Sequence, residues 1–202
     1  MKKSFLLLFL FCSPVFAVAA AYAHGPHEHG VAHMNIAVEG GTVEIELETP
    51  LANLLSFEHA PESAAQKDEA RHMALLLHRA DELFLFPAAA RCRSAEIELE
   101  SGALSAELLA PPAGGEAARP AAGAAAPAPE KHEGEEEHEG EEGHADLDAA
   151  FTFHCANPAA LNSLELDLFK KFPGVNEIEA QLITGKGQKA AELTPGENRL
   201  RW

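Results

Sequence analysis

Four imidazoles and a carboxylate fall within one short run, His24-Gly25-Pro26-His27-Glu28-His29-Gly30-Val31-Ala32-His33. Cleavage of a leader ahead of it would add a free α-amine. Imidazole nitrogen suits borderline cations such as zinc, copper and nickel. Zinc takes three or four nitrogen, oxygen or sulfur donors in tetrahedral array. Glycine and proline give this arm the freedom to wrap its donors around one ion. His27 and His29 alternate, so an extended segment presents them on one side. His33 leads into the first apolar alternation and would tie the arm to a folded body. The alternative is a solvated histidine-rich terminus.

A second tract repeats itself. His132, His138 and His144 recur every six residues, and the stretch 130–144 carries eight glutamates. Such a charge density gathers cations weakly and raises their local concentration. An acidic solubilising linker is the alternative, but solubility alone would not need histidine in register. Together the two tracts hold seven of the 11 histidines. His59 follows Phe57-Glu58 and either completes a metal site with Glu58 or caps a helix. His154 reads as an ordinary surface histidine on the strand face opposite Phe153 and Cys155. Asp68 with His72, and His78 with Glu82, sit four apart, where solvated helix-face pairs are commoner than ligands.

Catalytic signatures are thin: there is no HExxH, no G-x-S-x-G and no phosphate loop. An amino-terminal histidine can chelate copper in oxidative polysaccharide-cleaving enzymes, but those need a flat aromatic face. One Trp and one Tyr do not supply it. The expectation is a protein that is not an enzyme. The net charge of −17 argues against nucleic acid or an anionic membrane as the main partner and favours cations.

Residues 1–23 read as a secretory signal peptide. Lys2 and Lys3 precede an apolar run, and Ala21-Tyr22-Ala23 is a small-x-small cleavage site. No stop-transfer segment follows, so the exported chain should not span a membrane. Cys12 leaves with the leader, and Cys92 and Cys155 remain. Two cysteines in an exported chain read as one disulfide, with free thiols or metal ligands as the alternatives.

Pro111 to Pro129 is almost all alanine, proline and glycine, and it runs into the His/Glu tract. With no apolar period, 111–144 reads as a disordered insertion. It interrupts an α+β domain made of 24–110 and 145–202. Met34, Ile36 and Val38, then Val43, Ile45 and Leu47, alternate around Gly40-Gly41 as a hairpin. Expected next are a short helix at 51–57, a long helix at 62–86, and a hairpin of 96–100 with 104–109. Leu147 to Cys155 alternates as a strand. A helix should carry Leu161, Leu164, Leu168 and Phe172, and a last hairpin should pair 178–183 with 190–193. Strand–Pro–helix occurs twice, at 46–55 and 153–162, which suggests two similar α+β halves facing each other. A Cys92–Cys155 bond would staple both ends of the insertion to the body.

These phrases resemble the ZrgA-like family of zinc-associated periplasmic proteins of Gram-negative bacteria. The resemblance is carried by His27-Glu28-His29-Gly30-Val31-Ala32-His33-Met34-Asn35-Ile36 and by Pro50-Leu51-Ala52-Asn53-Leu54 through Phe57-Glu58-His59-Ala60-Pro61. Phe153-His154-Cys155-Ala156-Asn157-Pro158, Leu168-Phe169-Lys170-Lys171-Phe172-Pro173-Gly174 and Gln181-Leu182-Ile183-Thr184-Gly185 complete it. It implies zinc binding and an accessory role beside a periplasmic zinc-binding ABC importer, with the histidines of the arm and the insertion as the metal region. The site expected from local chemistry is His24, His27, His29 and His33 with His59, supplemented by His132, His138 and His144. Copper or nickel buffering, and a protein–protein adaptor whose acidic loop docks a basic partner, are the competing readings.

Overall fold

The computed structural model describes residues 28–112 and 145–202. The fold is α+β, built mostly from antiparallel strands in two sheets. Strand β1 (Val31–Glu39) turns at Gly40-Gly41 into β2 (Thr42–Pro50), with Met34 opposite Leu47 and Ile36 opposite Ile45. Gly40 takes the left-handed φ of +57°. A Cβ on Gly41 would stand 2.8 Å from the Cys155 carbonyl oxygen, so the turn needs glycine for contact as well as for conformation.

The remaining long strands are β4 (Cys92–Glu100), β5 (Asp146–Cys155), β7 (Glu177–Thr184) and β8 (Gly187–Leu193). A three-stranded sheet joins β3 (Phe84–Leu85), β6 (Ser163–Leu166) and β9 (Arg199–Arg201) in the order β3-β6-β9. The large sheet runs β4-β5-β2-β1-β7-β8, and only the β1–β7 pair is parallel. Alternation along each central strand buries one face, with Met34, Ile36, Ile45, Phe151, Phe153 and Leu182 in a single core. The opposite face is polar.

Four expected elements are corrected. The region 62–86 is not one helix. Helix α1 (Ala64–Leu77) starts at a capping box in which Ser63 Oγ accepts from Gln66 N–H and Gln66 Oε1 accepts from Ser63 N–H. It stops at His78, and a short α2 (Ala80–Leu83) leads into β3. Aromatic packing decides this: the Phe84 ring lies 4.8 Å from Phe151 and 5.8 Å from Phe153, which an extended backbone reaches and a continued helix would not. The segment 104–109 is not a strand. It ends in helix α3 (Ala106–Leu109), whose Leu108 and Leu109 are buried. The segment after Pro158 is not a helix through 172. A 3-10 turn gives way to β6, which buries Leu164 and Leu166 two residues apart, and to α4 (Leu168–Lys171). Short apolar runs fit either period. The helix expected at 51–57 is a single 3-10 turn, Leu51–Asn53.

The two segments also do not form facing halves. Strand β5, from the second, lies between β4 and β2 of the first, and β7 lies beside β1. Cys92 and Cys155 form a disulfide between directly paired residues of β4 and β5. It closes the end of that hairpin away from the insertion. The expected Cys92–Cys155 disulfide is thus present, and it locks the two strands that flank the insertion at their far end. Among the described residues no helix is long and apolar enough to cross a membrane.

Candidate metal-binding region

The histidine arm meets the fold at Gly30, and both polar groups of that residue are held. Its N–H donates to Asn53 Oδ1 at 2.6 Å, and its carbonyl accepts from Asn176 N–H at 2.7 Å and Glu177 N–H at 3.0 Å. Gly30 has φ +91°, a region L side chains rarely adopt. Asn53 is 3% exposed. Its amide also donates to the Val31 carbonyl at 2.8 Å and to Thr49 Oγ1 at 3.0 Å. Gly174 lets this turn sit close, since a Cβ there would be 2.5 Å from the Asn53 carbonyl oxygen.

The same turn also holds the residue that follows the insertion. Leu51 N–H donates to the carbonyl of Ala145, the residue following His144, at 2.8 Å. Strand β1 and strand β5 start on either side of the end of β2. Both segments therefore join the body at one end of the sheet, through residues of one buried turn.

His29 Nε2 lies 2.6 Å from Glu58 Oε1, with the carboxylate side chain 23% exposed and the imidazole 59%. Glu58 is placed by its chain neighbours. Phe57 is buried in the core, and Ser56 is clasped by Glu69 of α1, which accepts from its N–H at 2.7 Å and its hydroxyl at 2.8 Å. His59 turns elsewhere: its Nδ1 is 2.9 Å from the Ala60 carbonyl oxygen and its ring packs 5.5 Å from Phe57.

His33 stands on the polar face of the large sheet. Its Nδ1 lies 3.3 Å from Glu179 Oε2, and its strand partner in β2 is Glu48. Register continues that row through Asp148 in β5 to Glu100 in β4. His33, Glu48, Asp148 and Glu100 border a shallow groove of about 300 Å³ floored by Ala149 and Ala150.

The fold thus brings His29 to Glu58 and His33 to Glu179, and leaves His59 on a backbone carbonyl. Among the described residues no group of three or more His, Cys, Asp or Glu converges on one point as a metal site would. His24, His27, His132, His138 and His144 lie outside the described residues. A family description, ZrgA family zinc uptake protein, matches residues 26–202. The chain belongs to the ZrgA family. Membership associates it with zinc and with zinc uptake. Among curated proteins none matches the chain.

For this ZrgA-family chain, the weaker histidines have structural partners. Asp68 pairs with Arg71, not His72, at 3.1 Å. His78 faces the Leu109 carbonyl at 2.8 Å, not Glu82. His154 Nδ1 lies 3.5 Å from Thr42 Oγ1 on the polar face. Glu179, Asn53 and Glu69 were not legible as parts of the region. The alternation Ile178-Glu179-Ala180 marks Glu179 as outward-facing, but nothing local says that β7 lies beside β1.

Proposed function

We propose that the protein is a periplasmic zinc-binding accessory to zinc uptake, handing zinc toward the periplasmic component of an ABC importer, and that it is not an enzyme. The observation that carries this reading is the family match across residues 26–202, which spans the arm from Pro26, the folded body and the His/Glu tract. Support comes from the donor chemistry: neutral imidazole and carboxylate are a common zinc donor set. On this reading His24, His27, His29 and His33 of the arm are the principal ligands, His59 is within the same end of the molecule, and His132, His138 and His144 of the insertion add weaker capacity. The leader at 1–23 would deliver the chain to the periplasm, where the Cys92–Cys155 disulfide persists.

Calorimetric zinc titration of the exported protein tests this. Replacing His24, His27, His29 and His33 together should abolish the tightest binding. Deleting 130–144 should lower the stoichiometry, and an unchanged stoichiometry would remove the insertion from the reading. Competition with copper and nickel separates uptake from buffering, because copper outbinds zinc in nearly any imidazole site. Capture of a partner that is as efficient in chelator as in zinc would favour the adaptor reading instead.

A further inference from the structure

We propose that the open face of the large sheet docks an extended Lys/Arg-rich segment of a partner protein, laid along β5 between two ridges of glutamate. This goes beyond the zinc reading and does not depend on it.

The same five-residue phrase occurs twice in the chain, as Glu44-Ile45-Glu46-Leu47-Glu48 in β2 and as Glu96-Ile97-Glu98-Leu99-Glu100 in β4. Strand β5 lies between those two strands, and register sets the copies level with each other. Glu44 and Glu96 both pair with Thr152, Glu46 and Glu98 with Ala150, and Glu48 and Glu100 with Asp148. Alternation sends Ile45 and Leu47 into the core and leaves the glutamates on the open face. Two rows of carboxylates therefore flank a low floor of Ala150 and Thr152. The rows stand about 10 Å apart, two strand spacings, and each row repeats at about 6.6 Å. The groove of about 300 Å³ lies here. A second, of about 260 Å³, adjoins it through Asn35 and Glu46 and is lined by Ala37 and Ile183. Ile183 is 54% exposed, so an uncovered apolar side chain sits beside the ridges.

The shape and the sign select the occupant. A divalent ion needs converging donors, and among the described residues no three His, Cys, Asp or Glu converge. A linear cation needs donors in a row. Successive side chains of an extended chain point to opposite sides, and each side repeats at about 6.6 Å. Laid over Ala150, a run of Lys or Arg sends alternate residues to each ridge at the ridge's own spacing, and an apolar neighbour in the segment meets Ile183. Carboxylates this close repel one another, and a cationic segment relieves that. An ordinary solvated face is the competing explanation. Helix α1 shows that form, mixing both signs in Lys67, Asp68, Glu69 and Arg71. Among the described residues the Lys and Arg ion pairs fall elsewhere, Arg71 with Asp68, Lys170 with Asp167 and Arg199 with Glu165.

Heptalysine is the probe, titrated into the exported protein at low salt. Amide NMR shifts should centre on Glu46, Glu98 and Ala150, and binding should fade as salt is added. Shifts that avoid this face overturn the proposal, and that arm needs no variant. A peptide of equal charge with three glycines between successive lysines should bind several-fold more weakly. Equal binding would reduce the face to unspecific charge and overturn the proposal. Calcium that reproduces the same shifts at matched ionic strength would make the face an ion collector and overturn it too. Reversing both ridges, Glu46→Lys with Glu98→Lys, should weaken heptalysine binding about tenfold or more. Glu62→Lys with Glu197→Lys makes the same change in net charge on exposed residues elsewhere and should change binding far less. Equal losses in the two variants would overturn the proposal. Unaltered melting temperatures show that both variants fold.

Discussion

The two ends of the β4–β5 hairpin are built on opposite terms. At one, Cys92 and Cys155 are covalently joined across paired strands. At the other, the chain between Glu100 and Asp146 leaves for the insertion, and the Leu51 N–H of a buried turn donates to the Ala145 carbonyl. The lesson is a division of labour. The covalent end locks β4 to β5, and the imidazole beside it in sequence, His154, lies against Thr42 Oγ1. The hydrogen-bonded end holds the described residues next to both histidine-rich segments, Gly30 and Ala145. The covalent staple is thus about a strand's length, nearly 30 Å at 3.3 Å per residue, from the end that meets zinc in the proposed reading.

If the division is real, the ends should respond separately. Replacing both cysteines with serine opens a loop spanning a sequence separation of 63. Loop-closure reasoning predicts a loss of about 4 kcal/mol, read by denaturant titration. Zinc stoichiometry of the folded fraction should not change, and a fall in stoichiometry would show that the ends are coupled. Asn53→Leu strikes the other end. It strands the Gly30 N–H, the Val31 carbonyl and Thr49 Oγ1, at a cost of about 3 kcal/mol. Unlike the cysteine pair, it should also weaken zinc binding, because the residue that fixes His29 is freed.

Gly174→Ala sharpens the same contrast with a smaller change. Its Cβ would overlap the Asn53 carbonyl oxygen, a backbone atom that cannot swing aside, and about 2 kcal/mol should be lost in a thermal melt. Glu69→Gln weakens the clasp on Ser56 by about 1 kcal/mol and should loosen the Glu58 loop. Deletion of 130–144 is the limiting case. The metal-free melting temperature should stay where it was, while zinc capacity falls. A destabilised deletion would mean that the tract contributes to the fold itself.

Much of the architecture was legible from alternation. Strands β1, β2, β5 and β7 have apolar residues at alternate positions, glycines mark the β1–β2 and β7–β8 turns, and a half-buried sheet demands that period. The misread segments share a different property. Each is a short apolar run whose spacing fits either period: between 62 and 86 and between 158 and 172 a locally helical reading gave way in part to strand, and between 104 and 109 an expected strand ends in helix α3. Phe84 packs against Phe151 with the rings tilted, and Leu164 and Leu166 line a small sheet whose partners are far away in sequence. No window of a dozen residues contains that information.

The candidate region divides the same way. Composition alone determined its chemistry: clustered imidazoles in an acidic, exported-looking chain point to borderline cations, because few other side-chain sets bind them. Only the tertiary structure decided the geometry. It put Glu58 beside His29 and Glu179 beside His33, gathered Gly30 and Ala145, the described residues next to the two histidine tracts, on the Leu51–Asn53 turn, and moved the disulfide to the far end of its hairpin. The physical reason is that residue type sets which ion a donor prefers, a local property, while strand order and register set which donors meet, and those follow from burying one continuous core.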